Sequence, residues 1–205
     1  MNIKSLVTAF YFLNASLLLA QKSDKNVTDA SRSSCIKIIS KSGRATGTGF
    51  FIGDNIIVTC FHVISQRPGT VEDVSDINIF PDLQAVNESG DTVNLTCVSI
   101  PKSLSDEPLV HDFALLKTSK PIKKKTVLPL ANNINCSVGD DIIFTGYPLE
   151  TPTMVTHFGS ISGITADSSV VCIQAPINKG NSGSALLNRK GEVIGLVSYR
   201  EGVLS

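Results

Sequence analysis

The sequence has no tryptophan, only 6% aromatic residues and no net charge, with 18 basic and 18 acidic residues among 205. A nucleic-acid or anionic-membrane partner usually requires a basic surface, so the balanced charge argues against both. Long stretches of helical periodicity are also missing, whereas glycine and β-branched residues are plentiful. These features favour an all-β fold, and the length suits one large domain or two small ones.

The cysteines are few and scattered, and none belongs to a Cys-x-x-Cys pair, which argues against a zinc or redox motif. Because their number is odd, at least one thiol would stay unpaired within the chain even if disulfides formed. The cysteines are Cys35, Cys60, Cys97, Cys136 and Cys172.

The first 34 residues differ from the rest. Residues 1–20 carry a single charge at Lys4, a short apolar run and then Ala20, which is the pattern of a signal peptide. The apolar run is short for a transmembrane helix; a buried first strand is the alternative. We therefore predict export to the periplasm or the extracellular space, with no membrane association once the signal is removed. Residues 21–34 are polar, and we predict a flexible lead-in outside the core.

From residue 35 onward, short β-like runs alternate with turn signals, as in barrels and sandwiches. Two apolar runs around a Gly-Asp-Asn turn at 53–55 predict a hairpin. A basic connection at 121–126 separates two groups of strands. We predict an N-terminal β-barrel over 35–122 and a C-terminal one over 123–205.

Residues 180–184, with the sequence GNSGS, contain a candidate nucleophile at Ser182. A serine hydroxyl needs a base within reach and donors for the oxyanion that its attack creates. Glycines on both sides allow a tight turn that presents successive N–H groups to one point. Alone, the run would fit a β-turn between two strands better than a catalytic loop.

A histidine and an aspartate stand in suggestive positions. His62 follows the apolar run 56–60, so the imidazole is expected at the rim of a sheet; a partly buried structural histidine is the alternative. Asp112 opens the apolar run 113–116, where a carboxylate usually accepts hydrogen bonds or orients a neighbour. It could instead bind local N–H groups at the start of a strand.

The order of these three residues distinguishes between hydrolase folds. An α/β-hydrolase runs serine, acid, histidine and has Gly-x-Ser-x-Gly, whereas this chain runs His62, Asp112, Ser182, as chymotrypsin-type double barrels do. Across roughly residues 35–199 the chain resembles the trypsin-like endopeptidases of the HtrA/DegP group. Three segments carry the resemblance: 46–50 (TGTGF), 112–117 (DFALLK) and 175–183 (APINKGNSG).

The resemblance implies two antiparallel barrels of the six-stranded type and a serine endopeptidase that acts on polypeptides without metal or cofactor. By the same resemblance, His62 would be the general base, Asp112 would orient the imidazole and Ser182 would attack the carbonyl carbon. The backbone N–H groups of Gly180 and Ser182 form the oxyanion hole.

The resemblance also assigns substrate binding. The pocket for the residue before the scissile bond is built from the segment ahead of the serine and from the strand that carries Gly195, Leu196, Val197 and Ser198. Neither segment contains an acidic residue. A preference for small or medium apolar side chains is therefore expected.

The chain departs from the family in two places. Ser184 replaces the usual second glycine after the nucleophile, and the sequence ends at Ser205, before the strand that closes the second barrel and the usual PDZ domain. We expect an incomplete second barrel and poor stability or weak activity of residues 1–205 alone, or a fragment. An inactive binding module with the protease fold is the alternative; an esterase is disfavoured by residue order and by the lack of βα alternation.

Overall fold

A computed structural model describes residues 25–66, 78–101, 111–133, 135–149, 151–167 and 169–198. In this part of the chain the strands form a closed six-stranded barrel and an open five-stranded sheet. The predicted all-β double-barrel fold with an incomplete second barrel is thereby confirmed. The signal peptide predicted over 1–20 lies outside the described residues. No described helix is long and apolar enough to cross a membrane.

The described residues of the first half form eight strands. Six of them close the barrel in the order β1-β2-β3-β8-β7-β6, with antiparallel neighbours, while β4 and β5 form a separate pair. The strands are β1 Cys35–Ser40, β2 Ala45–Phe51, β3 Ile56–Thr59, β4 Ser65–Gln66, β5 Asn78–Ile79, β6 Gln84–Val86, β7 Thr92–Ser99 and β8 Ala114–Thr118.

Alternation along these strands fills the barrel. Successive side chains point to opposite faces, so Ile36 and Ile38 of β1 both face inward and are fully buried. Phe51, Ile57 and Leu116 join the same cluster from neighbouring strands. Each such side chain stabilises the fold by about 1.5–3 kcal/mol relative to an exposed one.

In the described part of the second half, the strands form an open antiparallel sheet. Its order is β11-β10-β9-β12-β13, so β11 and β13 are edge strands. A short parallel bridge from Leu130 to Val193 covers the start of β13. The strands are β9 Asp141–Gly146, β10 Val155–Ile164, β11 Val171–Gln174, β12 Ser184–Leu187 and β13 Val193–Val197. The strands of the two halves fall on either side of residue 122, and the boundary there stays a prediction.

The predicted hairpin forms from β2 and β3, with Gly49 opposite Thr59 and Phe51 opposite Ile57. Beyond it the structure differs from the sequence prediction of a strand running into a loop. A one-turn helix, α2 (Phe61–Ile64), follows Cys60 at once. The reason is local, because the N–H of Val63 donates to the Cys60 carbonyl at 3.2 Å.

The prediction of a flexible lead-in over 21–34 is wrong for the described residues of that segment. Residues 25–34 form a helix, α1, that packs on the core. Val27 is 6% exposed and belongs to a cluster between the two halves. The Ser31 hydroxyl donates to Thr145 Oγ1 at 2.8 Å, and the Ser34 hydroxyl accepts from the Phe51 N–H at 3.0 Å. The residues at 27, 31 and 34 share one helical face, so small and polar side chains form the contact.

Candidate active site

The pairing of β3 with β8 brings the candidate base and acid together. Thr59 lies opposite Ala114 in this pair, so His62 just after β3 meets Asp112 just before β8. The imidazole Nδ1 is 2.6 Å from Asp112 Oδ2, and the backbone N–H of His62 donates to Oδ1 at 3.0 Å. Two residues 50 positions apart are thus held by two hydrogen bonds to one carboxylate.

Asp112 is buried yet surrounded by donors. Burial alone would raise the pKa of its carboxyl, but the hydrogen bonds and charge of His62, with the Ser198 hydroxyl at 2.8 Å, outweigh it and lower the pKa. An ionised carboxylate only accepts hydrogen bonds, so the Nδ1 atom of His62 must carry a proton. In the neutral imidazole, Nε2 is then an acceptor.

The loop that carries Ser182 depends on two glycines. Gly180 has φ +95° and Gly183 has φ +92°, conformations that residues with a side chain rarely adopt. A Cβ on Gly183 would overlap the Thr48 carbonyl oxygen, and one on Gly180 would overlap that of Tyr147. Both positions therefore require glycine.

One open cleft of about 330 Å³ brings the predicted residues together. His62, Gly180 and Ser182 all line it, although they come from different halves of the molecule. The remaining lining residues are Arg44, Ala45, Thr46, Val63, Leu149 and Lys179.

The peptide between Lys179 and Gly180 has a defined orientation. The N–H of Leu149 donates to the Lys179 carbonyl at 2.8 Å. In a trans peptide the N–H points opposite to the carbonyl, so the Gly180 N–H is directed away from Leu149. Among the described residues, no acceptor receives that N–H, so this donor is open to a negatively charged oxygen.

The residues predicted to bind substrate lie along the edge of the second sheet. Gly195, Leu196 and Val197 belong to β13, whereas Ser198 follows it and donates its hydroxyl to Asp112. None of the four lines the cleft shared by His62 and Ser182. Ser198 thus contacts the candidate site through Asp112.

Sequence reasoning missed the surroundings of Cys60. Its buried thiol donates to the Val197 carbonyl at 3.3 Å, and burial, with the charge of Asp112, raises the pKa of the thiol.

The ligand atoms of Cys60, His62 and Asp112 lie within 4.8 Å of one another, close enough to consider a metal site. The 2.6 Å between Nδ1 and Oδ2 is a hydrogen-bond distance. Ligands about 2.0–2.2 Å from a tetrahedral zinc ion would lie farther apart, so the group fits proton sharing better.

Behind the loop lies a buried polar group that the sequence did not reveal. The Asn181 amide Nδ2 is 3.5 Å from Nε2 of His157, whose ring stacks on Phe144 with centroids 4.7 Å apart. Burial lowers the pKa of His157.

Ser184, the predicted departure from the family pattern, is fully buried, and its hydroxyl has no hydrogen-bond partner among the described residues.

Comparison with known proteins gives consistent results. The family model described as "Trypsin-like peptidase domain" matches residues 47–196. The chain is 34% identical over 161 residues to "Putative serine protease HhoA" of Synechocystis sp., which covers 73% of this chain and 36% of that protein. It thus spans little more than a third of the length of this curated relative.

Solved structures show the same fold. The serine endoprotease from Yersinia pestis superposes with a TM-score of 0.62 at 24% identity, over 84% of this chain and 56% of that one. The Rv3671c protease in its inactive form superposes with a TM-score of 0.63 at 22% identity, over 88% and 83% of the two chains.

Proposed function

Because the chain belongs to the trypsin-like peptidase domain family, we propose that it is a serine endopeptidase that hydrolyses peptide bonds in polypeptides. One observation carries the proposal. The Asp112 carboxylate holds Nδ1 of His62 at 2.6 Å, beside a cleft that Ser182 also lines. A positioned imidazole is the base that a serine hydroxyl requires to become a nucleophile.

The proposed reaction has two steps. Ser182 Oγ attacks the substrate carbonyl carbon while Nε2 of His62 takes the hydroxyl proton. The C–N bond then breaks, the proton passes to the leaving amine, and an acyl-enzyme ester remains on Ser182. Water repeats the sequence, releasing the carboxylic acid and restoring the hydroxyl. Throughout, Asp112 keeps Nδ1 protonated and stabilises the transient imidazolium.

We assign the oxyanion hole to the backbone N–H groups of Gly180 and Ser182. Negative charge develops on the carbonyl oxygen only as the tetrahedral intermediate forms, so donors aimed at that oxygen favour the transition state over the substrate. Removal of one such donor typically costs about 3–4 kcal/mol. The open direction of the Gly180 N–H supports this assignment.

For the residue before the scissile bond we propose a small or medium apolar side chain, bound by Gly195, Leu196, Val197 and Ser198. Neither β13 nor the segment ahead of Ser182 carries an acid that could select Lys or Arg. A panel of peptides that differ only at this residue tests the preference, and dominant cleavage after Arg would overturn it.

Labelling with a fluorophosphonate probe tests the reaction. Wild type should label, whereas Ser182→Ala should not, and His62→Ala should label far more slowly. Ser184→Ala is the matched control, since it removes a serine hydroxyl only two positions along the chain, at the start of β12, and should leave labelling intact. Labelling that persists in Ser182→Ala would refute the nucleophile. A folded wild type that never labels would favour a protease-fold binding module.

We also propose that the mature protein is exported to the periplasm or the extracellular space. The proposal rests on the charge and hydrophobicity of residues 1–20. N-terminal sequencing of the protein recovered from the exported fraction should begin near residue 21, and a start at Met1 would contradict it.

A further inference from the structure

Thr48 is a fully buried residue of β2 that contacts the other half of the molecule. Its hydroxyl donates to the Gly180 carbonyl at 2.7 Å and accepts from the Tyr147 N–H at 2.9 Å. Its own backbone N–H donates to the Ser182 carbonyl at 2.8 Å. A single residue of the closed barrel is therefore bonded to three points around the Ser182 loop.

These bonds bear on the orientation of Gly180. The carbonyl before Gly180 is held by the Leu149 N–H, and the carbonyl of Gly180 itself is held by the Thr48 hydroxyl. The same hydroxyl fixes Tyr147, two residues before Leu149, and so supports both contacts. Glycine has little intrinsic conformational preference, so the hydrogen bonds on either side must select the φ of +95°.

Thr48 is itself firmly held. The Thr59 hydroxyl donates to its carbonyl oxygen at 2.6 Å, within the barrel half. Gly183 packs directly against that same carbonyl. The branched side chain of threonine also restricts rotation about χ1, so its hydroxyl keeps a fixed direction.

We propose that Thr48 is a positioning residue for the oxyanion hole: its hydroxyl fixes Gly180 so that the Gly180 N–H is presented to the substrate carbonyl oxygen. The inference rests on the proposed peptidase function and extends it. It assigns to the barrel that carries His62 and Asp112 a second task, which is to shape the loop of the opposite half.

Thr48→Val tests the role of the hydroxyl, because valine has nearly the same shape but neither donates nor accepts. Tyr147 and Gly180 would each lose a hydrogen bond, and the Gly180 peptide could turn. The oxyanion exists only during reaction, so kcat should fall while KM changes little. We expect a loss of at least about tenfold, bounded by the roughly 10²–10³-fold cost of losing a whole oxyanion donor.

Two further variants make the test specific. Thr48→Ser keeps the hydroxyl and should retain most of the wild-type kcat. Thr118→Val is the matched control, because Thr118 is a buried threonine of the same barrel whose hydroxyl has no hydrogen-bond partner among the described residues. Thr118→Val should leave kcat and KM unchanged. The comparison then separates the loss of the Thr48 hydroxyl from the loss of any buried threonine hydroxyl.

Crystal structures of the full chain carrying Thr48→Val and Thr48→Ser give a readout that does not depend on activity. The Gly180 carbonyl should leave its wild-type position in the valine variant alone. An unmoved peptide, or equal kcat in the valine variant and wild type, would overturn the inference. If the valine variant does not fold, Thr48→Cys takes its place: its thiol forms weaker hydrogen bonds than a hydroxyl, so its kcat should be lower than that of Thr48→Ser, and a wild-type kcat would overturn the inference. A wild type without activity would refute the proposed function, while the structural comparison would still decide the role of Thr48.

Discussion

At the scale of single residues, His157 contacts the loop that carries Ser182 without lining the cleft. Its ring lies against Phe144, and its Nε2 faces the amide of Asn181, the residue between Gly180 and Ser182. Burial disfavours the charged imidazolium and lowers the pKa of His157. At neutral pH the ring is therefore neutral, and Nε2 can accept a hydrogen bond from the Asn181 amide.

This lowered pKa makes stability depend on pH. In the unfolded chain a histidine takes up a proton below about pH 6.5, whereas His157 in the folded protein does so only at lower pH. As pH falls through this window the unfolded state binds more protons, so the free energy of unfolding decreases. His157→Gln, which does not titrate, should show a smaller decrease than wild type. Urea unfolding at about pH 7.5 and about pH 5.5 measures it, and equal decreases in the two proteins would contradict the prediction.

The residues that sequence alone could identify are those with distinctive neighbours. Ser182 is flanked by glycines, and His62 and Asp112 adjoin apolar strands in a diagnostic order. Thr48 lies in the 46–50 segment of the family resemblance, but the sequence predicted no role for it or for Cys60, because both form hydrogen bonds with residues more than 100 positions away. Only the register of the strands creates those contacts, and a single sequence does not specify it.

At the scale of elements, α1 shows where composition misleads. Its sequence is polar, as a flexible segment would be, yet its buried face consists of Val27, Ala30, Ser31 and Ser34. Small side chains allow the helix to approach the strands closely, and the serine hydroxyls find partners on Thr145 and Phe51. The helix depends on tertiary packing, which periodicity over ten residues was too weak to reveal.

Val27→Ala should therefore destabilise the protein, although Val27 lies in a helix and not in any of the sheets. Removing its two methyl groups from the cluster with Leu128, Leu187 and Val193 should cost about 1–3 kcal/mol of unfolding free energy. Asp29→Ala, at an exposed position of the same helix, is the control and should have little effect. Denaturant unfolding of both variants decides the matter; if the two curves coincide with that of wild type, α1 does not contribute to the core.

At the scale of the whole molecule, the two halves meet closely between Gly183 and Thr48. Strand patterns and the order of three motifs were enough to predict two β-barrels, because family resemblance fixes the topology once the motifs are placed. The direct backbone contact between the halves was not predictable, since it depends on how the loop after Gly180 approaches β2.

Gly183→Ala tests this contact. Its φ of +92° is matched by Gly139 at +96°, but a Cβ at Gly139 would meet nothing within 4 Å, whereas one at Gly183 would overlap the Thr48 carbonyl. Gly139→Ala should lower the free energy of unfolding by only about 1–2 kcal/mol, which is the cost of placing a residue with a Cβ at a positive φ. Gly183→Ala should cost clearly more and separate the halves enough to abolish activity. Thermal unfolding and peptide hydrolysis of both variants give the comparison, and similar losses in the two would contradict it.

The two halves also differ in their freedom to open locally. A closed ring of six strands has no edge strand from which to fray, whereas the described strands of the five-stranded sheet end at β11 and β13. Amide protons of those edges should exchange with deuterated solvent through small local openings, and those of the ring only through larger ones. The proposed nucleophile, Ser182, thus lies on the half that should open locally more easily. The proposed base and acid, His62 and Asp112, lie on the half that should resist local opening.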